Sequence, residues 1–224
     1  MDTQAASGQS GTDTAKHFGE SVSAELKREA ASRAAALRMA HLAQHDSLTG
    51  LPNRVLLFER LALAVVLARR HKKQVGVLFL DIDNFKQIND SLGHTTGDRL
   101  LQSVGRRLVS CVRGSDTVCR QGGDEFVVLL TEIETPLDAA RISENIIDAF
   151  LNPHFIDEQE LQVTLSIGIS VYPDTDDIED TAQHCASLVL QNADTAMYHA
   201  KLTGRNNYQF FQPTMNVRAT RRLM

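Results

Sequence analysis

The stretch Gly122-Gly123-Asp124-Glu125-Phe126 carries the strongest signal for both the fold and the chemistry of this chain. It lies between two short apolar runs of β type, residues 117–119 and residues 126–130. Two glycines between strand signals predict a hairpin turn. A hairpin needs only the glycines, so the two adjacent carboxylates indicate another purpose, most simply the binding of a cation or a polar substrate. Because glycine has no Cβ, a ligand can lie directly against the backbone there.

The composition indicates one globular domain with appendages. The sequence has 224 residues, 42% hydrophobic and 23% charged, with a formal net charge of −5. A negative charge disfavours general nucleic-acid binding, which usually needs a basic surface. The cysteines Cys111, Cys119 and Cys185 lack CxxC spacing, so they indicate neither a disulfide framework nor a zinc site and fit a reducing compartment. No apolar run approaches the roughly 18 residues of a membrane span, and the polar N-terminus is unlike a signal peptide.

Four segments are predicted along the chain. Residues 1–15 have the composition of a disordered tail. Residues 16–44 are rich in Ala, Arg, Glu and Leu without Pro, which predicts a connector or signalling helix. The heptad match of this helix is poor, so a solvated connector and a dimerising helix both stay open. Residues 45–211 are predicted to form the folded domain, and residues 212–224 a linker.

Strand and helix signals alternate through the folded region. Predicted strands cover residues 74–80, 117–119, 126–130, 161–171 and 208–211, and predicted helices cover 55–71, 85–91, 98–112, 137–151 and 182–202, with a loop at 93–97. In the helix at 98–112, the residues expected to face inward are Leu100, Leu101, Val104, Leu108 and Val109. This order predicts an α+β sandwich, in which helices flank a mixed and mostly antiparallel sheet.

Carboxylates follow two of the predicted strands. Asp81 closes the first core strand, and Asp124 and Glu125 lie at the hairpin. If these strands are neighbours, the carboxylates meet at one edge of the sheet, where hard oxygen ligands suit Mg²⁺. The alternative is that acidic residues at strand ends are simply solvated. Asp83 also lies at the strand end, and a structural hydrogen bond explains it at least as well as a ligand role.

Six segments, in order, resemble those of the GGDEF-domain diguanylate cyclases over residues 42–211. They are DSLTGLPNR at 46–54, FLDIDNFKQIND at 79–90, GHTTGD at 93–98, RQGGDEF at 120–126, LSIGIS at 165–170 and AKLTGRN at 200–206. The resemblance implies a fold similar to the palm of nucleic-acid polymerases and adenylyl cyclases. It also implies an activity, the condensation of two GTP into cyclic di-GMP with release of two pyrophosphates.

The resemblance implies a role for each residue at the two strand ends. Asp81, Asp124 and the Ile82 carbonyl would bind Mg²⁺ or Mn²⁺, with two ions in each active site. Glu125 would be the second carboxylate, which binds metal or helps to deprotonate the ribose 3′-hydroxyl.

Substrate-binding roles also follow from the resemblance. The glycines Gly122 and Gly123 would admit the nucleotide close to the backbone. A carboxylate can accept hydrogen bonds from guanine N1–H and the 2-amino group together, a donor pair that adenine lacks. The residues that would bind the guanine edge are Asn89 and Asp98, and those that would neutralise the triphosphate are Lys86, Lys201 and Arg205.

An RxxD tetrad precedes the hairpin. In the family, an RxxD at this spacing is an inhibitory site for the product, so Arg113 and Asp116 are the expected residues here. Arginine can stack on guanine and pair with phosphate, and aspartate can accept from guanine N–H groups. A second arginine often completes the family's site. Here Asn145 stands at that position, and Arg141 lies one helical turn earlier.

Each site holds one GTP whereas the product joins two, so the resemblance implies a homodimer for catalysis. We expect no nucleic-acid partner, no membrane segment in this chain and a cytoplasmic location, while a full-length protein could be membrane-anchored and carry fused sensor and EAL domains. The main alternative is a catalytically silent module that binds GTP or cyclic di-GMP and controls a fused phosphodiesterase. A third alternative, a cyclase of other nucleotides, is disfavoured by Asp98.

Overall fold

The computed structural model describes residues 27–173 and 180–215, except positions 34, 36, 37 and 40. Two compact units divide at Ala43 and Gln44. In the first unit, residues 27–33 are helical. The predicted tail at 1–15, the start of the helix at 16–44 and the end of the linker lie outside the described residues, so the predicted segment boundaries stay predictions.

A five-stranded sheet with the order β2-β3-β1-β6-β7 forms the second unit. Central β1 pairs antiparallel with β3 and β6, β2 pairs antiparallel with β3, and β6 pairs parallel with β7. A separate hairpin joins β4 and β5. The strands are β1 (Gln74–Ile82), β2 (Thr117–Gly122), β3 (Glu125–Ile133), β4 (His154–Ile156), β5 (Gln159–Leu161), β6 (Leu165–Tyr172) and β7 (Asn207–Phe210).

Helices cover both faces of the sheet. Along β1, Val77 and Phe79 belong to one buried cluster, with residues of α1 and α5, whereas Leu78 and Leu80 belong to another, with residues of α3 and α4. This alternation follows the two-residue period of a strand. The predicted α+β fold, a mostly antiparallel sheet flanked by helices, is therefore confirmed. The helices are α1 (Arg54–His71), α2 (Phe85–Leu92), α3 (His94–Ser110), α4 (Pro136–Ala149) and α5 (Ala182–Leu202). Of the described helices, none is long and apolar enough to span a membrane.

Helix α5 packs directly on β6 at Gly168. A Cβ at this position would lie 2.0 Å from both the Ala193 carbonyl oxygen and the Met197 backbone nitrogen. Only glycine therefore lets the helix backbone approach the strand so closely. This close packing sets the position of the C-terminal end of α5 relative to the end of β1.

Several local predictions were wrong. Helix α3 begins at His94, so the predicted loop at 93–97 is mostly its first turn. Val109 is 49% exposed, because it lies outside the buried stripe of α3. The strand predicted at 161–171 corresponds to β6, which begins only at Leu165, and the β4–β5 hairpin was not predicted. These two strands have three residues each. Their central paired residues, Phe155 and Glu160, are both exposed, so the sequence shows no apolar alternation that would predict the strands.

Candidate active site at the end of the central strand

The end of β1 and the β2–β3 hairpin bring the predicted carboxylates together. Asp81 lies opposite Glu125 in the β1–β3 register. The next residue, Ile82, donates its backbone N–H to the Asp124 carbonyl at 3.3 Å. Two predicted site residues of β1 and two of the hairpin therefore share one end of the sheet. The two pairs are more than 40 positions apart in the chain. We call Asp81, Asp124 and Glu125, together with Lys201 of α5, the carboxylate edge.

The hairpin turn is open on its outer side. Gly122 and Gly123 have φ angles of 150° and 53°, in the region that favours glycine. A Cβ at either position would meet nothing within 4 Å. The glycines are thus required by the backbone conformation, and the space in front of the turn can admit a bulky ligand.

Arg120 anchors this turn to the junction before α1. Its guanidinium donates to the Gly123 carbonyl, at 2.8 Å from Nη2 and 3.1 Å from Nε, and its Nη1 lies 3.0 Å from both Asp46 oxygens. Burial opposes ionisation of Asp46, but hydrogen bonds from Thr49 and Arg120 hold the pKa of this carboxyl below its ordinary value. From the sequence, neither Arg120 nor Asp46 is assigned a role. Both residues lie in the matching segments 46–54 and 120–126, which is the feature that could have indicated them.

The carboxylate edge is short of positive charge. Asp81 is 6% exposed, and burial, reinforced by the negative charges of Asp124 and Glu125, raises its pKa to about 6. An ion pair with Lys201, at 2.6 Å between Nζ and Oδ2, acts in the opposite direction. Burial, Asp194 and Asp124 likewise raise the pKa of Glu125. In the described part of the chain, no three His, Cys, Asp or Glu side chains form a metal-binding group by themselves.

Asp83 is committed to hydrogen bonds. It is 4% exposed and accepts from the hydroxyls of Thr164 and Ser166 at 2.6 and 2.7 Å and from the Asn206 backbone N–H at 3.1 Å. Both of its oxygens therefore have protein donors. This agrees with the structural alternative considered from sequence, and it removes Asp83 from the set of free oxygen ligands.

The predicted guanine-binding residues lie on α2 and α3. The Oδ1 atom of Asn89 is buried without a hydrogen-bond partner among the described residues. It lies against Gly97, where a Cβ would be only 1.9 Å away. Asp98 is the next residue and is exposed, as is Lys86 on α2. The structure thus brings Asn89 to the first turn of α3, which carries Asp98.

The two predicted cations near the C-terminus lie beside the end of β1. Lys201 lies in the last turn of α5. The i, i+4 spacing of Lys201 and Arg205 predicts that they share a helix face, but this prediction is wrong because α5 ends at Leu202. Arg205 lies instead in a turn beyond the helix, with Nε 4.0 Å from an Asp83 oxygen and the side chain 52% exposed. Both cations nonetheless lie beside carboxylates at the end of β1.

The RxxD residues line a cavity at the other end of β2. This cavity, of about 280 Å³, is lined by Arg113 and Asp116 together with Arg141 and Asn145. The Asp116 carboxylate accepts from the backbone N–H groups of Arg113 and Thr131, at 3.1 and 3.2 Å. We call this space the Arg113 cavity. The structure brings the tetrad together with α4, as a common binding site would require.

A family model described as diguanylate cyclase, GGDEF domain, matches residues 43–207. The chain belongs to the GGDEF family. Among the relatives of this GGDEF domain, the bifunctional diguanylate cyclase/cyclic di-GMP phosphodiesterase MucR of Pseudomonas aeruginosa is 44% identical over 182 residues, which are 81% of this chain and 25% of MucR. Diguanylate cyclase TpbB of the same organism is 42% identical over 189 residues, 84% of this chain and 40% of TpbB.

A solved structure of the GGDEF domain has the same architecture. The domain of PA1120 (TpbB or YfiN) from P. aeruginosa, solved as a shortened variant, superposes with a TM-score of 0.73 at 40% identity. The match covers 79% of this chain and 99% of that chain. This GGDEF domain therefore spans a quarter to two fifths of the curated relatives that it matches, but nearly all of that isolated domain.

Proposed function

We propose that this GGDEF domain condenses two GTP molecules into cyclic di-GMP and releases two pyrophosphates. The observation that carries the proposal is the carboxylate edge, where Asp81, Asp124 and Glu125 meet beside an open glycine turn. A partly desolvated group of carboxylates with a single paired lysine suits a divalent cation and the phosphates that accompany it. The names of MucR and TpbB as diguanylate cyclases agree with this chemistry.

The residues present fit a hard divalent cation. Asp81, Asp124 and the Ile82 carbonyl would hold Mg²⁺ or Mn²⁺, two ions in each site, with further oxygen ligands from the substrate phosphates. When bound, the ions supply charge neutralisation at the reacting phosphate. The raised pKa of Glu125 suits a group that accepts the proton of the 3′-hydroxyl.

Nucleotide recognition is divided between two parts of the domain. Asn89 and Asp98 would bind the guanine edge, and a site built for these donors rejects a base that lacks them. The cations Lys86, Lys201 and Arg205 would neutralise the triphosphate. The buried, unpartnered Oδ1 of Asn89 supports the first assignment, and the position of Lys201 beside Asp81 supports the second.

Two copies of the domain are needed for one product molecule. Each 3′-hydroxyl must attack the α-phosphate of the other nucleotide, in line with the departing pyrophosphate. A two-fold dimer with the two carboxylate edges facing each other satisfies this requirement. The helix at 16–44 would regulate the reaction by controlling whether two domains meet.

Product would inhibit the enzyme at the Arg113 cavity. Arg113 offers a planar guanidinium for stacking and phosphate contact, and Asp116 offers a carboxylate to guanine N–H groups. Arg141 and Asn145 line the same cavity and would complete the contacts.

A silent regulatory module is the second candidate function. The chain corresponds to 25% of MucR, a protein named for both synthesis and breakdown of cyclic di-GMP. Within such a longer protein, this domain could bind GTP or cyclic di-GMP and control a fused phosphodiesterase. For an active cyclase as for a silent module, we propose that the full-length protein could carry fused sensor and EAL domains and a membrane anchor.

Product analysis after incubation with GTP and Mg²⁺, over a range of protein concentrations, tests the proposal. We expect cyclic di-GMP whose rate of formation rises more steeply than linearly with protein concentration. Folded protein that binds GTP but forms no product, even when dimerised by a fused coiled coil, would favour the silent module instead.

A further inference from the structure

The turn after α5 has a backbone that its sequence does not favour. Gly204, Arg205 and Asn206 have φ angles of 121°, 61° and 46°, so three consecutive residues lie in the left-handed region. The first is a glycine and the third is an asparagine, which tolerates this region, so the strain falls mainly on Arg205. Strained residues of this kind persist where surrounding contacts hold them. The contacts of this turn therefore decide where Arg205 lies.

Most of the turn's hydrogen bonds are local. The Arg205 N–H donates to the Ala200 carbonyl at 3.1 Å, and the Asn207 side chain donates to the carbonyls of Ala200 and Arg205 at 3.0 and 2.8 Å. These bonds close the turn onto its own helix. The backbone also joins the turn to the sheet at its C-terminal side, because Asn207 begins β7 and pairs with Ser166 of β6.

Asp83 adds a side-chain contact between the turn and the end of β1. It directly follows β1, and its Oδ2 accepts the Asn206 backbone N–H at 3.1 Å while its Oδ1 lies 4.0 Å from the Arg205 Nε. The carboxylate itself is held by the hydroxyls of Thr164 and Ser166. A nearly buried anion that is fixed from one side thus binds both the backbone and the charge of the turn on the other side.

The same pairing occurs two residues earlier on β1. Asp81, on β1, holds Lys201, and Asp83, directly after β1, approaches Arg205. The end of β1 therefore carries one carboxylate available to a cation and one that has no free oxygen.

We propose that Asp83 is a positioning residue, which holds the Gly204–Asn206 turn so that Arg205 meets the triphosphate of the substrate. The inference rests on the proposed function, because it requires a substrate whose phosphates Arg205 contacts. Asp83 acts through Arg205 and does not touch the substrate or a metal. Loss of the Asp83 charge loosens the turn. The affinity for the triphosphate then falls, whereas the affinity for the guanine does not.

The test compares two ligands in four proteins: wild type, Asp83→Asn, Arg205→Ala and the double variant. The ligands are GMP and α,β-methylene-GTP, in which a carbon bridge prevents release of pyrophosphate. Dissociation constants are measured by calorimetry with Mg²⁺. We expect Asp83→Asn to weaken binding of the triphosphate analogue by about 3–10-fold and binding of GMP by less than about twofold. In the Arg205→Ala background, Asp83→Asn should have no further effect on binding.

Two further variants keep the test decisive. Ser143→Ala removes a buried hydroxyl of α4 that donates to Ala139, and it is the control for general destabilisation. Thr164→Val loosens the same Asp83 carboxylate and replaces Asp83→Asn if that variant does not fold. Equal weakening of both ligands, or additive losses in the double variant, would overturn the positioning role. A wild-type domain that binds neither ligand would refute the proposed function itself.

Discussion

The carboxylate edge and the Arg113 cavity are both rich in acidic side chains, but they balance their charge in different ways. At the carboxylate edge, three carboxylates lie close together, and Lys201 is the cation paired with them in the described part of the chain. At the cavity, Asp116 accepts from two backbone N–H groups, and Asp138 pairs with Arg141 at 3.6 Å. Glu132 pairs with His71 and Glu134 with Lys73 on the rim.

The pKa values follow this difference. Burial raises the pKa of Asp81, whereas a backbone hydrogen bond from Thr135 lowers the pKa of Asp138 at the cavity. A buried cluster with excess negative charge gains from a divalent cation, and an exposed cluster with local partners does not. Acidic content alone therefore does not distinguish the two regions; they differ in how far neighbouring cations and N–H groups neutralise their carboxylates.

Removing one carboxylate from the edge has the largest expected effect. Asp124→Ala should abolish turnover, by at least about 1,000-fold, because a metal ligand is lost. The fold should persist, since Asp124 accepts the Ile82 N–H of β1 through its backbone carbonyl. Cyclic di-GMP formation measures the activity and circular dichroism the fold. Full activity in this variant would refute the metal assignment.

Displacing α5 should damage the edge while leaving the cavity in place. Gly168→Ala places a Cβ 2.0 Å from two backbone atoms of α5, and we expect it to lower the free energy of unfolding by about 3 kcal/mol. Urea denaturation measures the change. Gly114→Ala is the matched control, because its Cβ would meet nothing within 4 Å. Equal stability of the two variants would contradict the close packing of α5 on β6.

Guanine selectivity should depend on a residue outside both charge clusters. Asp98→Ala removes the acceptor proposed for the guanine N1–H and 2-amino groups, so we expect the preference for GTP over ATP to fall by about 10–100-fold. Competition between the two nucleotides in the condensation assay measures this preference. An unchanged ratio would exclude Asp98 from base recognition.

The edge should bind metal more tightly as pH rises. Asp81 must lose its proton to bind a cation, and its pKa is raised to about 6. Below pH 6 the protonated form of Asp81 prevails, so in this range the Mg²⁺ affinity should rise about tenfold for each pH unit. Above pH 6 the affinity should level off. Calorimetric titration at pH 5, 6 and 7 tests this dependence. An affinity that does not change with pH would place the metal away from Asp81.

The smallest effect on turnover is expected at the cavity. Arg113→Ala should weaken product inhibition by about tenfold, because an exposed arginine that contacts the product is lost. The initial rate should hardly change, since Arg113 and the hairpin turn lie at opposite ends of β2. Progress curves with added cyclic di-GMP separate the two quantities. Inhibition that survives unchanged would remove the Arg113 cavity as the site of control.

Long periodic elements could be predicted from sequence, whereas short and polar ones could not. Helix α5 was expected at its observed bounds, because its apolar pattern is long. The first turn of α3 was missed, since its residues His94, Thr95 and Thr96 are polar and Gly97 is a poor helix former. That turn forms because Gly97 leaves room for the Asn89 side chain, a contact between two helices.

The candidate site was predictable in its residues but not in its electrostatics. Asp81, Asp124 and Glu125 were selected because they end strands, and a strand end is a local property. The anchoring of the hairpin by Arg120 and Asp46 joins positions 74 residues apart, and no local pattern reveals it. The same holds for the turn at Arg205, where the Asn206 backbone N–H donates to the distant Asp83 carboxylate.

The α+β class, the glycine hairpin and the identity of the charged residues depend on neighbours along the chain, so they could be predicted from the sequence. That Asp81 lies opposite Glu125 and beside Lys201, and that both oxygens of Asp83 have protein donors, depends on residues that are distant in the chain. Asp81 and Asp83 are almost equally buried, at 6% and 4% exposed, so burial does not distinguish them. The folded chain distinguishes them through hydrogen-bond donors, which occupy both oxygens of Asp83 and leave Asp81 available to bind a cation.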